Sequence, residues 1–431
     1  MASLSPSAKQ QFLTNAGAPA AGYSLYTYAT GTTTPLATYT DKAGSVANTN
    51  PIVLDARGEA IIYLLPQQYR YVLKDAQGST IWTRDNISAG ADLADLSGPG
   101  ANQGAALIGF LQAGTGATAR TVLSKLREQV SVKDFGAVGD GVTDDTTAIQ
   151  AAINAQAATT KAGSVYFPDG NYLVTVTLVV PIGNGVTLRS MARSCARITK
   201  NTAGDILQAG SSKIEGIDFF HNGATGSCLV TTGDNVQSIG CGFVPGAGNT
   251  SAMIVAQHAN VNIDGCVFVG SNAAQWCVDV VANTGSLCIN GRIGNQTTMY
   301  GGSNGVRLKT GTGGRPEGWD IDAKIIVTGA ASVEVFDCLS CKITGVLDQA
   351  SAYGVKLSPP SAGRIEGLHV VDAYIATATA PTTGTGVGSS NAVTGGVTGL
   401  LISRNHIQLC GYGVVIDGTM VGVRCSHNDI E

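Results

Sequence analysis

The sequence predicts a mainly β protein in two parts, a small N-terminal β-sandwich-like domain followed by a parallel β-helix. Three observations carry this. Glycine supplies 57 of 431 residues while charged residues are only 13%, a turn-rich and weakly charged composition beside the soluble average. Short strand-like runs alternate with Asp-x-x-Gly turns through the first 90 residues. Beyond residue 163 an apolar motif recurs about every 26 residues with no helical periodicity, the signature of stacked β coils.

Composition also excludes several classes. Hydrophobic residues make up 44% and the net charge is only −4, so the chain can bury a core and is not globally disordered. No Lys/Arg run provides the basic stripe of a nucleic-acid binder. No apolar stretch reaches ~18 residues, so no membrane insertion is expected. The start, MASLSPSAKQQFL, lacks a charged region followed by an apolar one, and no secretory leader is expected. Ten cysteines occur, none before Cys195. Cys338 and Cys341 form the only C-x-x-C, with no second pair at zinc spacing. No metal or cofactor is expected. Free thiols packed as small hydrophobes suit a chain made in a reducing cytoplasm.

In residues 1–90 the expected strands are Tyr23–Tyr28, Leu36–Thr40, Ile52–Leu54, Ala60–Leu65, Tyr69–Lys74 and Thr80–Arg84. Asp-x-x-Gly at 41–44, 55–58 and 75–78 sets an Asx-capable residue before a residue able to take positive φ, at hairpin spacing. Residues 91–130 read as linker and neck. Ser88–Gly104 is rich in Gly, Ala, Ser and Asp, and Thr118–Gln129 predicts a short helix with Val122, Leu123 and Leu126 on one face.

Residues 131–162 read as a strand, a glycine turn and a helix. Thr143 is the expected N-cap, Asp144 and Asp145 fall in the first turn, and Ala148, Ile149, Ala152 and Ile153 form the apolar face. Asp140, Asp144 and Asp145 invite a catalytic or metal reading, but capping and turn chemistry account for them. Gly139-x-Gly141 has no following lysine and fits neither nucleotide-binding fingerprint.

In residues 163–431 the recurring anchors are Phe220, Phe243, Phe268, Ile293, Ile325, Ile343, Ile375, Ile407 and Ile430. Two positions before each stand Asp218, Cys241, Cys266, Gly291, Ala323, Cys341, Ala373, Asn405 and Asn428, small or amide residues that suit a tight bend with a stacked ladder. At this period the segment makes about ten coils, with like positions ~4.8 Å apart.

Val130–Ala155, through Asp134-Phe-Gly-Ala-Val-Gly-Asp-Gly-Val-Thr-Asp-Asp-Thr, resembles the leading segment of the pectate-lyase-like right-handed parallel β-helices. In that family the helix caps the open end of the first coil. Ala106–Ala117 and Arg120–Arg127 look like the neck before that motif in phage tailspikes. The first domain is similar to the anchoring module of phage tail fibres and tailspikes, in Leu25–Gly31, Pro35–Asp41, Asn50–Gly58 and Tyr71–Asp75. The resemblance implies a homotrimeric virion protein of the phage tail, made in the host cytoplasm. Residues 1–90 would dock on tail or adaptor proteins, and the β-helix would meet bacterial surface polysaccharide. The alternative is a polysaccharide depolymerase, an endoglycosidase or lyase, on the same scaffold. The chain stops inside a rung motif, at Asn428–Glu431; a longer native chain or a capping partner is therefore expected.

Glycosidase chemistry needs two carboxylates ~5–9.5 Å apart. In Trp319-Asp320-Ile321-Asp322-Ala323 the alternation points Asp320 and Asp322 outward together, ~7 Å apart along the strand. Glu317 lies just before them, and Trp319 is the candidate sugar-stacking ring. Asp279 after Trp276 is a second candidate, and Asp337 and Asp348 come from neighbouring coils. Two solvated aspartates on an outer strand face are the ordinary alternative. His221, His258, His369, His406 and His427 fall near turns of separate coils and read as structural.

Overall fold

The structure, a computed structural model, describes residues 3–4, 9–65, 67–88, 98–100, 103–159, 163–283, 287–312, 314–377, 383–389, 395–418 and 420–431. The chain divides into two compact units, Met1–Glu128 and Gln129–Glu431.

The first unit is built on a four-stranded antiparallel sheet in the order Ile52–Val53, Ser24–Ala29, Tyr69–Lys74, Thr80–Ile87, with smaller antiparallel pairs beside it. Leu25, Tyr69, Tyr71 and Leu73 fill its core with Ile62 and Leu64. All three Asp-x-x-Gly turns close as expected. Gly44, Gly58 and Gly78 take positive φ and each donates its N–H to the carbonyl of Asp41, Asp55 and Asp75 respectively. The expected strand Leu36–Thr40 reduces to isolated bridges of Tyr39 to Ala47 and Tyr63, with Pro35 bridging Tyr28 just before it. Ala60–Leu65 splits into Glu59–Ala60 and Tyr63–Leu64.

The helix expected over Thr118–Gln129 is one turn and a half, Val122–Leu126, capped by the Thr121 hydroxyl accepting the Ser124 N–H. None of its residues is buried. Leu126, Leu107, Ile108 and Leu111 are all exposed in the chain. Of the Ser88–Gly104 linker, residues 89–97 and 101–102 lie outside the described residues.

The second unit opens with a 3-10 turn, Val132–Phe135, closed by a capping box between Ser131 and Asp134. The helix then starts at Thr146, two residues later than expected, and ends at Ala157. Thr143 is not the cap. Residues 140–144 pair as a strand instead, and Asp140 accepts the N–H groups of Val142 and Thr143. Asp145 stands at the N-cap, yet its buried carboxylate turns back to accept the N–H groups of Val138 (2.6 Å) and Gly139 (3.0 Å). The aspartates are thus turn chemistry. Ile149, Ala152 and Ile153 are buried in one cluster with Val165, Phe167 and Leu178 of the first coil. The helix covers that coil's core, and no helix follows it among the described residues.

Coils follow from Ser164 onward, and every pairing between them is parallel. Ten strands form one sheet and a longer sheet takes the other strands of most coils; a small four-stranded sheet appears in the later ones. Three inward columns build the core. One runs Ile198, Phe219, Phe243, Phe268, Met299, Ile325, Leu347, Ile375, Ile407, Ile430. Its phenylalanine rings stack at 5.4 and 4.8 Å. A second runs Leu188, Ile214, Ser238, Ile263, Ile293, Ile321, Ile343, Val370, Ile402. The third, on the ten-stranded sheet, runs from Leu178 and Leu207 to Val387 and Val414.

This register corrects three of the expected anchors. Phe220 faces outward beside Phe219, while Ile293 and Ile343 belong to the second column. The expected ladder changes accordingly. Cys241 and Cys266 stack, with Ala323, Gly345 and Ala373 further along and Asn405 over Asn428, joined by a 3.0 Å side-chain bond. Asp218, Gly291 and Cys341 lie outside it. The second column and much of the first follow a left-handed residue three positions earlier, as Asn290 precedes Ile293 and Gly240 precedes Phe243, so the same short motif marks either.

The bends have a common conformation. Ser211, Asn235, Asn260, Asn290, Gly318, Ser340, Gly367, Gly399 and Gly422 all take φ between 45° and 67°, each two residues before the second-column strand. A left-handed residue turns the chain sharply in one step, and Gly and Asn tolerate it best. Seven of the ten cysteines are buried and all are free thiols.

Candidate functional site

The structure separates the sequence candidates onto different faces. Asp320 and Asp322 point out of the strand Asp320–Val327 while Ile321 and Ala323 point in. Asp320 stands in register between Arg292 and Lys342 of the adjoining strands, and its Oδ1 is buried with no hydrogen-bond partner. Glu317 lies across the Gly318 bend, pairs with Ile289 and Leu339, and sits 3.9 Å from Arg315. It does not join the two aspartates on their strand face. Trp319 is buried, 1% exposed, and its indole N–H donates to the Cys288 carbonyl at 3.1 Å. It offers no ring to a sugar. Asp348 accepts the N–H of Gln349.

A second constellation forms on the outer face of the ten-stranded sheet. In register, Asp279, Arg307, Glu334 and Lys356 succeed one another on four neighbouring strands. Alternating charge across a ladder is stabilising. Asp279 accepts from Arg307 Nε and Nη2, both at 2.6 Å, and from Lys309 Nζ at 3.0 Å. Glu334 accepts from Lys356 Nζ at 2.7 Å and from the Ser358 hydroxyl at 2.9 Å. Trp276 lies under Arg307, whose guanidinium carbon is 5.0 Å from the ring centroid. The ring packs on Ala252 and Ala331 and is 7% exposed. Trp276 therefore supports the cation and, like Trp319, presents no free face.

Beside this ladder is a groove of about 220 Å³ lined by Arg307, Lys309, Thr310, Phe336 and Pro360. Thr310 donates its hydroxyl proton to Asp337 Oδ2 at 2.6 Å, and Asp337 Oδ1 is buried without a partner. Two cations, a hydroxyl, an aromatic ring and a proline can hold a polar ligand by hydrogen bonds while covering its apolar patches. Of the sequence candidates, Trp276, Asp279 and Asp337 thus converge here. Arg307, Lys309, Phe336 and Pro360 were missed. The alternation Val306-Arg307-Leu308-Lys309 was the legible signal, since it sends both cations to one side of a strand.

No group of three or more His, Cys, Asp or Glu side chains with metal-binding geometry occurs among the described residues. No described helix is long and apolar enough to cross a membrane.

The stacked parallel sheets and the helix over the first coil define a parallel β-helix, and comparison finds pectate-lyase-like and tailspike relatives for it. Residues 129–314 match the rhamnogalacturonase A/epimerase, pectate lyase-like family. The chain is tailspike-like. It is 31% identical over 186 residues to the tail spike protein of Shigella phage Sf6, covering 38% of this chain and 30% of that protein. Plasmin and fibronectin-binding protein A of Streptococcus pneumoniae is 62% identical over 45 residues, 10% of this chain and 6% of that one. The chain thus matches less than a third of the length of either relative. Among solved structures, a double mutant of the tailspike protein of E. coli bacteriophage HK620 superposes with TM-score 0.57 at 15% identity, over 78% of this chain and 72% of that one. A single mutant of the same protein, in complex with a pentasaccharide, gives 0.55 at 14% identity over the same shares. At these identities the likeness is one of fold.

Proposed function

We propose that this chain is a phage tailspike or tail-fibre subunit. It anchors to tail or adaptor proteins through residues 1–90 and presents its β-helix to host surface polysaccharide. The observation that carries the binding role is the groove of Arg307, Lys309, Thr310, Phe336 and Pro360 on a rigid, repeated sheet. The likeness to a tailspike fold solved with a pentasaccharide supports it. The subunit is a homotrimer in this reading, and the exposed Leu107, Ile108, Leu111 and Leu126 are apolar side chains that such a neck would bury. Its place is the virion tail.

The test is retention of the full chain on a panel of purified bacterial capsules and O-antigens. At least one is expected to retain it, and Phe336→Ala is expected to weaken that binding at least tenfold with an unchanged melting temperature. Retention by none overturns the binding role. In parallel, deletion of residues 1–90 is expected to abolish incorporation into particles, and the full chain is expected to sediment at three times its 43.8 kDa mass.

A second reading is depolymerisation, by hydrolysis or elimination, with Asp320 and Asp322 as the carboxylates. The outward pair and the unpartnered Asp320 Oδ1 favour it. New reducing ends or unsaturated termini from a bound polysaccharide, lost in Asp320→Asn and Asp322→Asn, would establish it.

A further inference from the structure

We infer that the groove on the ten-stranded sheet and the charge ladder beside it are built for an acidic saccharide, with Arg307 and Lys309 of the groove and Lys356 of the ladder receiving the carboxylates of its sugar units. The inference rests on the polysaccharide-binding reading and adds the class of sugar.

The argument begins with how charge is layered. Three cations and three carboxylates meet here, so the cluster is neutral as a whole. They are not mixed at the surface. The Asp279 and Glu334 side chains are 8% and 10% exposed, and Asp337 is 5% exposed. Arg307, Lys309 and Lys356 are 26%, 34% and 26% exposed. The carboxylates form an inner layer and the cations an outer one. An approaching ligand meets the positive layer first. None of the groove-lining residues is acidic.

The hydrogen bonds agree with this direction. Asp279 takes the Nε and Nη2 donors of Arg307. The Nη1 donors stand outside that pair, on the other edge of the planar guanidinium, where a second carboxylate fits. The buried carboxylates also fix long side chains in place before a ligand arrives, which lowers the ordering cost of binding. Thr310 has committed its proton to Asp337. Its oxygen can offer only lone pairs to the groove, so it accepts from a sugar hydroxyl rather than donating to a sugar carboxylate. Phe336 and Pro360 supply apolar surface for the C–H face of a pyranose. Arg307 and Lys356 stand two strands apart in register, on the order of 10 Å. That separation lets more than one acidic unit of an extended chain meet a cation.

The experiment titrates the full chain with hexamers of galacturonate, mannuronate and sialate, and with the same hexamers after carboxyl reduction. At least one acidic hexamer is expected to bind at least tenfold more tightly than its reduced form. That preference is expected to shrink as salt is raised, as screening requires. Lys309→Gln and Lys356→Gln are each expected to remove most of it with unchanged melting, since Asp279 keeps Arg307 and Glu334 keeps Ser358. Equal binding of acidic and reduced hexamers, unaffected by either variant, overturns the acidic class and leaves polysaccharide binding standing. Retention on bacterial polysaccharides with no binding of any acidic hexamer overturns it likewise. No binding of any saccharide overturns both.

Discussion

The indole of Trp319 lies against Gly291 of the preceding coil so closely that a Cβ on Gly291 would fall 2.3 Å from the ring. The two positions are neighbours because Arg292 and Asp320 pair in register. An inward tryptophan needs more room than a coil of branched aliphatics leaves, and the missing side chain provides it.

Gly291→Ala is therefore expected to destabilise by about 1–3 kcal/mol through overpacking. Trp319→Ala, which empties the same space, is expected to cost about 3–5 kcal/mol. Urea unfolding checks both. Neither variant is expected to change saccharide binding beyond its effect on folding, because the ring is buried.

Gly240 isolates the conformational requirement of a bend. Its φ is 62°, and nothing lies within 4 Å of where a Cβ would stand. Gly240→Val is expected to lower stability by about 1–2 kcal/mol from backbone strain alone. Gly345→Val is expected to cost more, since a Cβ there would also fall 2.4 Å from the Ala323 carbonyl oxygen. Equal losses in the two variants would contradict this account.

Two histidines give opposite pH dependences. His221 is buried and accepts the Gly223 N–H at Nδ1, so Nε2 carries the proton donated to the Gly204 carbonyl. The bond accepted at Nδ1 needs the neutral ring, and burial, which outweighs the Gly204 contact, holds its pKa below the ordinary 6.5. With the folded pKa depressed, its stabilisation is present above the unfolded value and is lost as pH falls through the folded one. The urea midpoint is expected to drop between about pH 7 and pH 5, and His221→Gln is expected to shrink the drop. His406 behaves inversely. The Asp429 carboxylate, 2.8 Å from Nδ1, raises its pKa. That stabilisation is present below 6.5 and is lost as pH rises through the folded pKa. Amide protection at Asp429 and Ile430, taken relative to His406→Gln, is expected to fall toward unity in that direction.

The solenoid was legible because its period is written in short motifs. Phe243, Phe268, Ile325, Ile375, Ile407 and Ile430 were placed in the right column from spacing. Ile293 and Ile343 were not, because two inward columns follow similar left-handed bends and a local motif cannot say which bend it follows. The aspartates around residue 144 were correctly read as turn chemistry, but the helix start was misplaced. The pairing of residues 140–144 with Gly170–Leu173 holds those residues in a strand. The candidate site was legible only in fragments. Trp276, Asp279 and Asp337 stood out as residue types, whereas the tryptophans' burial depends on neighbours such as Gly291 and Ala331, distant in sequence.

What the sequence by itself determined is the architecture: Asp-x-x-Gly hairpins in the first unit, an amphipathic helix over the first coil, and stacked coils after it. These follow from local conformation and periodic apolarity, which each short segment carries alone. What only the tertiary structure decided is which side chains share a face. Arg307, Phe336 and Pro360 come from different coils, and Asp279 reaches Arg307 across a parallel strand pair. Stacking sets those positions side by side through inter-strand register, which depends on the length of every intervening turn and is not written at any one of them.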